Sequence, residues 1–112
     1  MNGETLEALK SSIRKWEKIV ARKEINRGVD NCSLCILFFR HNAGSLVHPC
    51  SGCPVAEHTG ETYCDGTPYP DFSNLRPCRE PADLTEAHIE AARKELDFLK
   101  SLLPERENID ER

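Results

Sequence analysis

Two pairs of cysteines carry the chemistry that can be read from this chain, Cys32-Ser33-Leu34-Cys35 and Cys50-Ser51-Gly52-Cys53. Each is a C-x2-C pair, and the fourteen residues between them come close to the spacing of a four-cysteine zinc site. A two-residue spacer lets one tight turn aim both sulfurs at a tetrahedral ion, and two such turns complete its shell. Gly52 supplies the backbone freedom that such a turn often needs. A closed shell of four sulfurs leaves zinc no open position for water or substrate. The expectation is therefore a structural zinc ion in a chain that is not an enzyme.

Further residues compete for the same ion. Cys64 lies eleven residues after Cys53 in another turn-rich stretch, TGETYCDGTPYP, so five cysteines are candidates for four places. Cys78 stands alone between Pro77 and Arg79 and reads as a free or packed thiol. His41, His48 and His58 are near enough in sequence to substitute, but with this many cysteines they read as surface or hydrogen-bonding groups. An iron–sulfur cluster is the rival centre, since four thiolates can hold one and Cys53-Pro54 matches the Cys-Pro ending of cluster-binding runs. Zinc ranks ahead because the spacing does not fit a compact ferredoxin run.

Two enzyme readings fail on residues. Pro49-Cys50-Ser51-Gly52-Cys53 contains half of the zinc deaminase signature, but the upstream H-x-E is missing, because Asn42 and Ala43 follow His41. Thiol redox chemistry of the thioredoxin type expects β-α-β surroundings that the pattern does not provide.

The elements that must position these cysteines are predicted from hydrophobic spacing. Leu6, Leu9, Ile13, Trp16, Ile19 and Val20 recur every three or four residues and predict an amphipathic helix over 4–26, capped by Thr5 or Asn2 and ended by Gly28. Ile89, Ala92, Leu96, Leu99 and Leu103, widened by Phe98 and Leu102, predict a second helix over 84–103. Asp83 or Thr85 can cap it, Asp83 and Glu86 have capping-box spacing, and Pro104 follows the last turn. The polar tail 104–112 is expected to fray.

Between the helices, residues 30–80 hold all six cysteines and most of the prolines and glycines, a composition suited to loops and tight turns. The apolar run Cys35–Phe39 reads either as a short strand in a hairpin with Ser45–Val47 or as the start of a short helix. Trp16 is expected in the core, with Tyr63, Tyr69 and Phe72 packed near it. The predicted fold is thus one mainly α domain over 1–112, two amphipathic helices flanking a cysteine-rich, loop-rich zinc-binding insert.

Composition narrows the partners. With 38% hydrophobic and 30% charged residues the chain reads as globular, and its formal net charge of −4 disfavours nucleic acid. Arg14, Lys15, Lys18, Arg22, Lys23 and Arg27 make the first helix locally basic, although Glu7, Glu17 and Glu24 interrupt the face. No run of signal-peptide or membrane-spanning character occurs, so a reducing, cytoplasmic setting is expected, where closely spaced thiols favour metal over disulfides.

In the order Trp16-containing helix, DNCSLC, CSGCPV and TGETYCDGTPY, the segment from Trp16 to Tyr69 resembles a group of small, uncharacterised cysteine-rich proteins of bacteriophages and bacteria. The resemblance implies Cys32, Cys35, Cys50, Cys53 and Cys64 as the metal-binding set and leaves Cys78 outside it. It also implies a bacterial cytoplasm as the place of work. The expected function is a non-enzymatic zinc module that binds protein, a phage accessory protein engaging or inhibiting a host protein. Its alternatives are a nucleic-acid-associated zinc module and an iron–sulfur or thiol redox protein.

Overall fold

The apolar stripe of the N-terminal segment winds into α1, Gly3–Val20, in the computed structural model, which describes residues 3–27, 32–44, 46, 50–60 and 66–103. Leu9, Ile13, Trp16 and Ile19 are buried along one face. The helix stops well short of residue 26. Arg22 adopts the left-handed conformation, φ 61°, while its N–H bonds Ile19 O at 2.9 Å and Lys23 N–H bonds Lys18 O at 2.8 Å. This is a Schellman termination with an arginine where glycine is usual. A non-glycine residue pays roughly 1–2 kcal/mol there. Tertiary contacts offset it: Arg22 Nη1 donates to Leu84 O at 2.6 Å and Nη2 meets Glu86 Oε1 at 2.8 Å. Gly28, the expected stop, lies outside the described residues, as does Asn2, while Thr5 is buried within the first turns of α1 and not at the residue before it.

The C-terminal stripe forms the helix Glu86–Ser101, α5 in chain order, which packs along α1 as the facing stripes require. Ile89, Ala92, Leu96 and Leu99, with Leu103 just beyond, are buried. Of the two proposed caps, Thr85 holds the position. Its Oγ1 accepts from His88 N–H at 3.4 Å, and His88 Nδ1 accepts from Thr85 N–H at 3.0 Å. A histidine thus closes the capping box in place of Glu or Gln. Asp83 does not pair with Glu86. It accepts from the Arg79 and Glu80 N–H groups at 2.9 and 3.3 Å in a 3-10 turn, Pro81–Asp83, and these bonds hold its carboxyl below the usual range. Replacing Thr85 by Ala is expected to cost about 1–2 kcal/mol, read as a lower urea midpoint, since the cap is lost together with the 2.8 Å contact of Oγ1 with His88 Nδ1, while the backbone bond to Nδ1 remains.

Because Nδ1 of His88 is an acceptor, Nε2 carries the proton and donates to Arg76 O at 2.8 Å. The buried imidazole so ties the loop after residue 73 to α5, with its edge on Phe72 at 5.4 Å.

The middle of the chain is more regular than its composition predicts. It contains α2 (Ser33–His41), α3 (Pro54–Thr59) and α4 (Tyr69–Ser73), and among the described residues there is no strand. The hairpin alternative for Cys35–Phe39 is therefore replaced by helix. Leu34 and Phe38, four apart, turn inward from α2, whereas Leu46 in the supposed partner strand is fully exposed. Val55 of α3 and Phe72 of α4 join the same core. Trp16 is its centre, with Phe72 edge-on at 5.0 Å and Tyr69 at 6.0 Å. Tyr63 and the tail 104–112 lie outside the described residues.

Candidate metal centre

Both cysteine pairs sit where a helix begins. Cys32 is the N-cap of α2, and its Sγ accepts from Cys35 N–H at 3.2 Å. Cys53 is the N-cap of α3, followed by Pro54 in the first turn, where a missing N–H costs nothing. Cys53 N–H bonds Cys50 O at 3.0 Å, closing a tight turn whose third residue, Gly52, has φ 87°. A Cβ on Gly52 would stand 3.1 Å from Phe38 Cε1, so the turn also lies close against α2. Asn42 Nδ2 donates to Ser51 O at 3.0 Å and fastens the end of α2 to the same turn. Gly52→Ala is expected to destabilise the protein by about 1–2 kcal/mol through the left-handed backbone alone, measurable as a lower urea midpoint.

These turns bring four thiols to one place. Cys32, Cys35, Cys50 and Cys53 all line a cavity of about 240 Å³ whose walls come from α1, α2, α3, α4 and α5. Most of the remaining wall is apolar, including Trp16, Leu34, Phe38, Val55 and Leu99. No disulfide joins the four. Among the described residues, no three Cys, His, Asp or Glu side chains stand close enough together to hold a single ion. The thiols share a cavity without converging on a point within it.

Electrostatics separates them. Cys32 is lowered to about 6, chiefly because the Cys35 thiol donates to its sulfur, with the Cys35 N–H and the nearby Lys15 ammonium adding to the effect against burial. Cys53 is raised by burial, opposed by the Val55 and Ala56 N–H groups at the start of α3. Lys15 is held in position by a chain of bonds: its Nζ donates to Asn26 Oδ1 at 2.8 Å, and Asn26 Nδ2 donates to Tyr69 Oη at 3.0 Å.

Two polar residues of the same cavity come from the long helices. Glu95 is 2% exposed and Ser12 is 3% exposed, and Glu95 Oε1 and Ser12 Oγ have no hydrogen-bond partner. Burial, reinforced by Cys32, pushes the Glu95 carboxyl up to about 8. Its folded value thus exceeds the ordinary one of about 4.5. The favourable contribution of protonated Glu95 is complete below that lower value and is lost as pH rises through about 8. The stability advantage of Glu95→Gln over wild type in metal-free, reduced protein should therefore widen from about pH 5 to about pH 8. Urea titrations at several pH values check it.

Sequence reasoning missed both Glu95 and His88. The signal was present: residues 88, 92, 95 and 99 share one face of α5, so Glu95 is a charge on an apolar stripe.

Other candidates lie elsewhere. Cys64 and His48 are outside the described residues, as is the side chain of His41. His58 is exposed, its ring on Phe98 at 5.7 Å. Cys78 does not line the cavity. It lies 3.5 Å from His88 Nε2, whose proton goes to Arg76 O, and burial raises its thiol. Of the basic residues on the first helical segment, Lys15 and Arg22 are engaged internally.

The chain matches no protein-family model, no curated protein and no solved structure. Among the described residues no helix is long and apolar enough to cross a membrane.

Proposed function

We propose that this chain is a small zinc-binding protein whose metal organises a surface for binding another protein. The observation that carries the reading is the cavity lined at once by Cys32, Cys35, Cys50 and Cys53. The donor set fits a thiophilic cation: one thiol is already biased towards thiolate, two sulfurs lie at helix starts, and no disulfide consumes them. Cys64 remains a fifth candidate through the family resemblance. Bound zinc would hold the starts of the short helices α2 and α3 to each other, and its binding energy would count as folding energy.

A non-enzymatic role follows from a shell of sulfurs that offers no open coordination position. The resemblance to phage-encoded proteins supports an accessory protein that engages or inhibits a host protein in the bacterial cytoplasm. Two large apolar side chains near this module, Ile36 at 44% and Leu46 at 107% exposure, are available to such a partner. The acidic net charge and the internal engagement of Lys15 and Arg22 count against nucleic acid as that partner.

The cavity itself favours one second reading, an iron–sulfur cluster. Its volume exceeds the need of a lone ion, and thiols that surround a space without converging suit a polynuclear centre. Purification under reducing conditions separates the two: one zinc per colourless chain supports the first, and a brown protein carrying iron and sulfide overturns it. Pull-down from bacterial lysate, repeated with the Cys32→Ser variant, tests the protein-binding role. A specific partner retained by wild type and lost by the variant is expected. Failure to retain any would overturn that role.

A further inference from the structure

We propose that the cavity between the helices is a binding site for a small uncharged aromatic molecule of the phenol class, with the ligand's hydroxyl held between Ser12 and Glu95. The inference goes beyond the metal reading and does not depend on it. Among the described residues, Glu95 belongs to no group of three Cys, His, Asp or Glu side chains close enough together to hold an ion.

Ser12 and Glu95 are the observation that points to a ligand. They come from the facing helices α1 and α5, both are almost completely buried, and both line the cavity. Neither Ser12 Oγ nor Glu95 Oε1 has a hydrogen-bond partner within the protein. Burying such groups unanswered is costly, so a molecule that bonds to both gains what the fold has left unmade. The neighbouring cation does not answer the carboxyl: Lys15 directs its ammonium to Asn26 Oδ1 at 2.8 Å and over the Trp16 ring at 5.0 Å. One hydroxyl meets both needs, since it donates to Glu95 Oε1 and accepts from Ser12 Oγ.

The rest of the wall sets the chemical class. Trp16 of α1, Phe38 and Phe39 of α2 and Tyr69 of α4 line the space, and aromatic rings pack well against one another edge to face. The thiols add soft, polarizable surface of the kind that sits well beside a ring. A volume of about 240 Å³ exceeds the roughly 150 Å³ that accommodates benzene, which leaves room for one ring with a hydroxyl and a short alkyl group. The same wall disfavours charge. An anion would meet the buried carboxyl, and a cation would give up its water among apolar side chains beside the Lys15 ammonium. A single water, with a share of liquid volume of about 30 Å³, answers the polar pair but leaves most of the apolar wall uncovered.

Isothermal titration of the reduced, full-length protein with para-ethylphenol tests the site. One site is expected, with a dissociation constant of roughly 0.1–1 mM. Trp16 is the only tryptophan, so its emission should change over the same range of ligand. Ethylbenzene, which has the same shape without the hydroxyl, should bind at least roughly tenfold more weakly, because it leaves the polar pair unanswered. Glu95→Leu should abolish that preference, and Ser12→Ala should reduce it while leaving ethylbenzene binding unchanged. No saturable binding up to about 10 mM overturns the proposal and means that water alone answers the pair. So does binding without a change in Trp16 emission, equal affinity of wild type for the two probes, or a preference that survives in Glu95→Leu. Zinc content measured on the same samples decides the metal reading separately.

Discussion

Replacing Cys32 or Cys35 by serine is expected to empty the proposed zinc centre and lower the melting temperature by roughly 10 °C or more. The reason lies in the length of the elements concerned. α2 has 9 residues and α3 has 6, well below the length at which a helix is stable alone. α2 presents Leu34 and Phe38 to the core and α3 presents Val55, a small apolar area for two helices. Structural zinc supplies far more free energy than such contacts can, and a serine hydroxyl does not replace a thiolate ligand. At Cys32 a serine hydroxyl can still cap α2 in place of the sulfur, so the loss there reports the metal rather than the cap. Metal content by mass spectrometry and thermal melting followed by circular dichroism check the expectation. Chelation of wild-type protein should reproduce the effect, while Cys78→Ser should retain full metal, since Cys78 lies by Arg76 and His88 away from the cavity. Comparing Cys50→Ser with Cys64→Ser tells which of these two belongs to the metal-binding set. Cysteine variants that keep full metal content and the wild-type melting temperature would show the site to be misassigned.

Trp16→Ala should destabilise the protein by about 4 kcal/mol, in the range found for large aromatic residues removed from cores. The indole is 3% exposed and receives the edges of Phe72 and Tyr69, so its loss leaves a void where α1, α4 and α5 meet. The surrounding helices cannot close over that void without moving the wall of the cysteine-lined cavity, because Trp16 belongs to both. Zinc affinity is therefore expected to fall along with stability. Urea unfolding gives the first quantity and competition with a chromophoric chelator the second. A variant destabilised by less than about 1 kcal/mol would mean that the indole packs on the surface rather than in the core.

The long helices were legible because their chemistry is periodic. Leu9, Ile13, Trp16 and Ile19 repeat at helical spacing, as do Ile89, Ala92, Leu96 and Leu99, and each stripe can be buried only against another. The end of α1 was not legible. A glycine stop is a local preference, whereas Arg22 holds its left-handed conformation through bonds to Leu84 and Glu86, more than sixty residues away. Of the short helices of the insert, α2 was one of two readings of the run Cys35–Phe39, while α3 and α4 were hidden for a related reason. Their residues read as turns, and burial of Val55 and Phe72 in the common core makes them helical.

Local spacing alone determined that Cys32 pairs with Cys35 and Cys50 with Cys53, because a two-residue spacer within one turn requires no knowledge of the fold. Only the tertiary structure decided that both pairs open into one cavity, and that Glu95 and Ser12 reach into it from helices at opposite ends of the chain. Those contacts depend on how α1 and α5 pack. A charge on an apolar stripe gives its position in the sequence, but what it faces is set by the neighbouring helix.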